Sequence, residues 1–370
     1  MVDVTIPADL LPEDGRFGCG PSRVGRAALE ELVRLGQDVL GTSHRQTPVR
    51  SEVGALREGM RALFDPPEGY EVLLTVGGAT AFWDAAVFGL IESRSQHYVL
   101  GEFSAKFATA ARSAPWLADP LTVDAEPGSR PVPVAAPGDV DVHAWTHNET
   151  STGVMQDIRR MDDALVVVDA TSAAGGLPVD LAQVDVYYFS LQKGFASDGG
   201  LTVAIVSPRA IERIERIAAS DRYIPAFLDL ATVVENSRKD QTYNTPALAT
   251  VVLARFQVQR MIETFNGLAG VVSEQRRKAD HVYGWAQQRE WAQPFVGDPA
   301  ARSLVVATID LEGLQADDVN RVLRANGIVD TDAYRKLGRN QLRFGMFPAV
   351  PLADLEAFTA CVDHVVERLA

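Results

Sequence analysis

Two short runs constrain the fold more than any other part of the chain. Ala164-Leu165-Val166-Val167-Val168-Asp169 ends in a carboxylate, and Val186-Tyr187-Tyr188-Phe189 leads into Ser190-Leu191-Gln192-Lys193-Gly194. Both runs are short and apolar, rich in β-branched or aromatic residues. They read as buried strands. Open α/β sheets bind their ligands at the carboxyl ends of such strands. Neighbouring strands with these sequences deliver an acid and a lysine to one edge of one sheet.

The surrounding pattern agrees. Strands are expected at 70–76, 97–100, 140–145, 164–169, 186–189 and 200–206, with helices at 24–40, 49–64, 79–91 and 104–113. Alternation of this kind implies an α/β fold: a mainly parallel sheet flanked by helices. Residues 222–245 read as irregular, and Pro246 fits the start of a helix running to about 264, followed by another at 268–289. From Arg302 the pattern becomes strand 303–310, helix 315–325, strand 340–346 and helix 352–368, a smaller C-terminal α+β domain. The expected division is an N-terminal arm at 1–15, a large domain at 16–265 and a small domain at 266–370.

Charge and composition narrow the partners. The formal net charge is −14, which argues against nucleic acid and anionic membrane surfaces. An anionic substrate must therefore be held by a local cationic cluster. The two cysteines, Cys19 and Cys361, lie near opposite ends, and the six histidines are scattered, so neither a disulfide framework nor a metal site is expected. The N-terminal segment lacks a basic region and no run is long enough to span a membrane. The cytoplasm is the expected location.

Several motifs carry chemistry. Burial of Lys193 lowers its pKa, and the neutral amine is the form that attacks carbonyls. A lysine that forms a Schiff base, with an acid beside it for the pyridinium nitrogen, is what pyridoxal 5′-phosphate requires. Gly77-Gly78 between a strand and a helix offers free N–H groups to an anion, with the Thr80 hydroxyl in the first turn. Asn244-Thr245-Pro246 precedes a second helix and forms a second anion candidate. Phe103, at a strand end, suits either core packing or stacking on a planar ring. His44-Arg45 lies in a loop, and Tyr334 to Arg343 is a basic stretch in an acidic protein.

Taken together, Phe17-Gly18-Cys19-Gly20-Pro21-Ser22, Thr42-Ser43-His44-Arg45, Gly77-Gly78, His147-Asn148-Glu149-Thr150, Asp169, Gln192-Lys193, Asn244-Thr245-Pro246 and the Arg335 loop resemble the phosphoserine aminotransferase branch of the class V aminotransferases. The likeness covers nearly the whole chain and implies the PLP fold type I architecture. It implies that Lys193 carries the cofactor and moves the substrate proton, and that Asp169 pairs with the pyridine nitrogen. Phe103 stacks on the ring, and Thr150 bonds the phenolic oxygen. Ala79, Thr80 and Gln192 bind the cofactor phosphate, joined by Asn244 and Thr245 from the other subunit of a homodimer. Arg343 takes the substrate α-carboxylate. His44, Arg45 and Arg335 take the substrate's distal phosphate or the side-chain carboxylate of glutamate. The implied substrates are glutamate and 3-phosphohydroxypyruvate, with phosphoserine as product.

The chain departs from this pattern at Ala79, where relatives often have arginine, and at Tyr334, where they have histidine. Lys336 and Arg339 are the residues expected to compensate. An alanine–glyoxylate type of transaminase is the rival enzyme reading. A cysteine desulfurase would need a reactive cysteine near the cofactor, and a binding protein without catalysis would have no use for the lysine–aspartate pair.

Overall fold

The computed structural model describes residues 4–369. Residues 1–3 of the expected arm and Ala370 lie outside the described residues. Seven strands form the main sheet: β1 (Glu71–Val76), β2 (Ser95–Val99), β3 (Leu121–Asp124), β4 (Val142–Thr146), β7 (Leu165–Asp169), β8 (Val186–Ser190) and β9 (Leu201–Val206). Their order is β1-β9-β8-β7-β4-β2-β3. A two-stranded hairpin, β5 (Asn148–Glu149) with β6 (Val154–Met155), lies beyond the end of β4.

The block β8-β7-β4-β2-β3 is parallel throughout, as alternating strands and helices require. β9 runs antiparallel to both of its neighbours. Its six residues are all buried, so its composition carries no sign of direction. Asp169 of β7 lies opposite Thr146 on one side and Tyr188 on the other. The carboxyl end of β7 and the turn after β8 therefore open on the same edge, as the two apolar runs imply.

Helices cover both faces. On one face lie α3 (Ala79–Gly89), α4 (Glu102–Arg112), α5 (Pro208–Ala218) and α6 (Leu230–Ser237), packed over Leu73, Val167, Tyr188 and Val206. On the other, α2 (Thr47–Phe64) and α7 (Leu248–Phe265) pack over Val72, Val168, Tyr187 and Phe189, with α1 (Arg26–Val39) against α7. The stretch 222–245 is not wholly irregular. It holds α6, whose first turn is capped where the Asp229 carboxylate accepts from Ala231 N at 3.0 Å. α7 begins at Leu248, two residues after Pro246, with Ala247 in the cap position.

The C-terminal part builds a three-stranded antiparallel sheet from β10 (Ala292–Pro294), β11 (Val306–Leu311) and β12 (Gln341–Gly345). α8 (Leu268–Gln287), α9 (Ala316–Ala325) and α10 (Leu352–Leu369) pack on it. The start of the chain joins this unit. Phe17 N donates to Val329 O at 3.2 Å, Gly345 N donates to Phe17 O at 2.7 Å, and Ile6 N donates to Asn326 Oδ1 at 2.9 Å. One continuous set of buried side chains runs from β7 and β8 through α7 and α8 into β11, β12 and α10. The N-terminal segment thus carries Gly18 to Pro21 to the seam between the two sheets.

Candidate active site

The seam opens into a cleft of about 1180 Å³ lined by residues from both sheets. Lys193 reaches it from the turn after β8. Its Nζ donates to Thr150 Oγ1 at 2.8 Å, and the residue is 8% exposed. Gly20 makes room for its side chain, and Gly194 lets the backbone after it press against Ala174. A Cβ on Gly20, whose φ is +142°, would sit 2.6 Å from Lys193 Cε, and one on Gly194 would sit 2.2 Å from Ala174 O. Burial brings the Lys193 amine down to about 8 from its ordinary 10.5; Asp169, the nearest opposing charge by effect, holds it from falling further. A substantial share of this amine is neutral near pH 7.5, unlike that of a surface lysine.

Asp169 is fixed from two sides. Trp83 Nε1 donates to its Oδ2 at 2.9 Å, and Thr171 N donates to its Oδ1 at 2.9 Å. Beside it, the Thr150 hydroxyl donates to Ser172 Oγ at 3.1 Å, and that hydroxyl in turn donates to Asn148 O at 2.8 Å. The β5 segment thereby holds Thr150 over Lys193. Phe103 forms the opposite wall, its ring centroid 5.4 Å from Lys193 Nζ. Glu149 sets its place. This carboxylate is fully buried and accepts from Phe103 N, Ser104 N, Ser104 Oγ and Ser151 Oγ, the last at 2.6 Å. It occupies the positive end of α4, as an acidic cap does.

Ala79, Thr80 and Gln192 line the same cleft. Ala79 begins α3, and its N–H donates to Ser190 Oγ at 2.8 Å. Gly78 holds the preceding backbone extended, with space for an anion against the first turn. The cleft also contains polar atoms that are buried and lack a protein partner: Asn148 Oδ1, Thr171 Oγ1, Gln192 Oε1 and Arg343 Nε. Buried polar atoms are rarely left unpaired without a ligand or water in view. This set of donors and acceptors, together with a lysine, a carboxylate and an aromatic wall, fits pyridoxal phosphate.

Cations crowd the mouth. Arg343 reaches in from β12, with Nη1 donating to Thr150 O at 3.2 Å and its guanidinium 5.5 Å from the Tyr334 ring centroid. Tyr334 faces Phe103 across the cleft at 6.1 Å. Arg335 stands exposed on the single 3-10 turn Arg335–Leu337, without an ion-pair partner among the described residues. Lys336 and Arg339 line the cleft as well, yet Glu102 holds Lys336 and Asp310 holds Arg339. Both pairs are part-exposed at the mouth of the cleft.

Nine of the expected site residues therefore meet: Ala79, Thr80, Phe103, Thr150, Asp169, Gln192, Lys193, Arg335 and Arg343. His44, Arg45, Asn244 and Thr245 do not line this cleft. They form a group of their own, in which Thr245 Oγ1 lies 3.1 Å from His44 Nδ1 and Arg45 Nη1 donates to Gln241 Oε1 at 3.2 Å. Burial and the neighbouring Arg45 charge push the His44 imidazole below its ordinary value, so it is neutral at pH 7. The sequence reasoning missed Trp83 and Glu149, since an indole in an apolar helix and a glutamate beside a threonine carry no pattern of their own.

Residues 19–331 match the family described as Aminotransferase class-V. The chain belongs to this family. Over 98% of each chain it is 57% identical to a phosphoserine aminotransferase from Nocardioides sp.. It is 54% identical to the phosphoserine aminotransferase of Corynebacterium glutamicum, over 98% of this chain and 97% of that one. A solved phosphoserine aminotransferase from Cytophaga hutchinsonii superposes with a TM-score of 0.89, at 24% identity, covering 95% of this chain and 99% of that one. Within the class, the sequence groups with the phosphoserine aminotransferases, and the protein is a transaminase.

Proposed function

We propose that this protein transfers the amino group of L-glutamate to 3-phosphohydroxypyruvate, giving O-phospho-L-serine and 2-oxoglutarate in L-serine biosynthesis, with pyridoxal 5′-phosphate as cofactor. The observation that carries the reading is one cleft holding Lys193 and Asp169 at its floor and Arg343 and Arg335 at its mouth. When bound, the cofactor supplies an electron sink for the carbanion formed at the substrate Cα. Lys193 would hold it covalently, and Asp169 would serve its ring nitrogen. Phe103 would stack on the ring, and Thr150 would bond its phenolic oxygen. Ala79, Thr80 and Gln192 would take its phosphate. Asn244 and Thr245 of the partner subunit would complete that phosphate site in a homodimer.

The protein's own work is placement and proton handling. Arg343 grips the substrate α-carboxylate in a planar fork, which fixes the Cα–H bond toward Lys193. The Lys193 amine, brought to about 8 by burial, takes the Cα proton on Nζ and returns it on the far side of the reaction. Arg335, with His44 and Arg45 of the partner subunit, meets the distal phosphate. This reading explains why the group at His44 and Thr245 lies apart from the cleft of its own chain. The proposed division is an arm at 1–15, a large domain at 16–265 and a small domain at 266–370, with the arm and Phe17 hydrogen-bonded into the C-terminal unit. The cytoplasm is the proposed location; among the described residues, no helix is long and apolar enough to cross a membrane.

A half-reaction panel tests the substrate assignment. The loaded enzyme is mixed with phosphoserine, glutamate, serine and alanine in turn, and loss of the cofactor's aldehyde absorbance is followed. Phosphoserine and glutamate should convert it fast; serine and alanine should be slow. Arg335→Ala should weaken phosphoserine by roughly tenfold to a hundredfold, the worth of a charge-assisted contact, and leave alanine unchanged. Arg343→Ala should weaken every amino acid. Equal rates with phosphoserine and alanine in the wild type would overturn the assignment and favour the alanine–glyoxylate reading.

A further inference from the structure

The strongest feature not yet used is the indole of Trp83. It sits on α3, one turn in from the helix start, at 4% exposure. Its Nε1 donates to Asp169 Oδ2 at 2.9 Å, and this is a contact between side chains far apart in sequence. No other tryptophan lines the cleft. Packing leaves the ring little freedom: it stacks near Phe107 at 6.3 Å, and α3 lies over β8. A helix residue has a small choice of rotamers, so an indole wedged in this way aims its N–H along one line.

A carboxylate at the end of a strand has one rotatable plane to control. In this chain Thr171 N fixes Oδ1 and Trp83 Nε1 fixes Oδ2. Two donors on two oxygens define the plane, and the remaining lone pairs are left for a group in the cleft. The hydroxyl of Tyr188, from the neighbouring strand, lies beside both the Trp83 indole and the Asp169 carboxylate, without a well-formed hydrogen bond to either. Burial, and then the Asp169 charge, push the Tyr188 phenol well above its ordinary value, so it stays protonated and adds no competing negative charge. The surroundings thus concentrate a single carboxylate, held by an aromatic donor.

We infer that Trp83 is a positioning residue of the active site, whose indole N–H fixes the Asp169 carboxylate in the plane that serves the cofactor ring nitrogen. The inference rests on the proposed role of Asp169. It also explains what the helix after Gly77-Gly78 contributes besides its N-terminus: α3 presents its first turn to the cofactor phosphate and its second to the acid behind the ring.

Two measurements test it, and the first needs neither cofactor nor activity. In the full-length apoprotein with ¹⁵N-labelled tryptophan, the Trp83 indole N–H resonance should lie downfield and should move upfield in Asp169→Ala, which removes its acceptor. If none of the indole resonances moves in that variant, the inference falls. The second is a double-mutant cycle on cofactor dissociation constant. Trp83→Phe keeps the ring and loses the donor. It should weaken cofactor binding on the order of tenfold, the worth of one hydrogen bond to a charged group. The KM for glutamate should stay unchanged, because Trp83 touches no substrate. In the Asp169→Ala background the same substitution should cost nothing further. Equal losses in both backgrounds would show that Trp83 acts through packing alone and would overturn the inference. A shifted indole resonance with a full set of fast half-reactions in Asp169→Ala would instead leave Trp83 in place and remove the role given to Asp169.

Discussion

Lys193 shows how a residue's chemistry follows from its burial. An apolar strand leads into it, Gly20 closes over it, and the amine falls to about 8. The reactive form is the neutral amine, so reactivity rises as pH rises through the folded value. In the apoprotein, labelling of Lys193 by a small amine-selective reagent should rise about pH 8, where an exposed lysine rises only above about 10. Mass spectrometry of the Lys193 peptide reads the midpoint; a midpoint at the ordinary lysine value would remove the argument for a poised amine. Lysine and aspartate were legible in the sequence because each ends a run of apolar residues. Trp83 was not, because its meaning depends on which acid the fold brings to it across 86 positions. The partners of Lys336 and Arg339 were hidden for the same reason: a sequence shows a cation, and only the fold shows the Glu102 and Asp310 carboxylates beside it.

At the scale of elements, most of the parallel block was legible, while the edge strand β3 and the exceptions were not. β7 and β8 are apolar enough to read as buried, whereas β9 is just as apolar and runs the other way. Direction comes from the connection, and the link from β8 to β9 is the loop 191–200, which holds no crossover helix. α6 was hidden because its eight residues are too few to show a helical period, and it starts from a side-chain cap. The hairpin β5–β6 was hidden because each strand has two residues, too few for a period. Yet this hairpin carries Glu149 and Thr150. Glu149→Ala would orphan the Phe103 and Ser104 N–H groups and the Ser151 hydroxyl, while the Ser104 hydroxyl keeps Gly101 O. It should destabilise the protein by about 3 kcal/mol or more, since each orphaned buried donor costs roughly 1–3 kcal/mol. Denaturant midpoints measure this, and an unchanged midpoint would show that water or a neighbour satisfies those donors.

The whole molecule separates its site into two groups of residues. One lines the cleft; the other, with His44, Arg45, Asn244 and Thr245, lies elsewhere on the same chain. Under the proposed function, this second group serves the cofactor and substrate phosphates, and a second copy of the chain brings it to the cleft. The global charge of −14 adds to the argument, because an anionic substrate is held only where cations from several elements converge. Symmetric dimers are the commonest oligomers, and a two-fold axis delivers both missing halves at once. Complementation follows from this geometry. Lys193→Ala is inactive for want of its amine, and the double variant Asn244→Ala, Thr245→Ala is weakened for want of its phosphate contacts. When the two are mixed, unfolded and refolded together, half of the dimers are hybrids. In each hybrid, one cleft has Lys193 from the second variant and intact Asn244 and Thr245 from the first. Activity should recover to about a quarter of the wild-type value, one good cleft in every four for random pairing of two-fold dimers. If the residues at 244 and 245 served the cleft of their own chain, every cleft would lack one half or the other, and mixing would restore nothing.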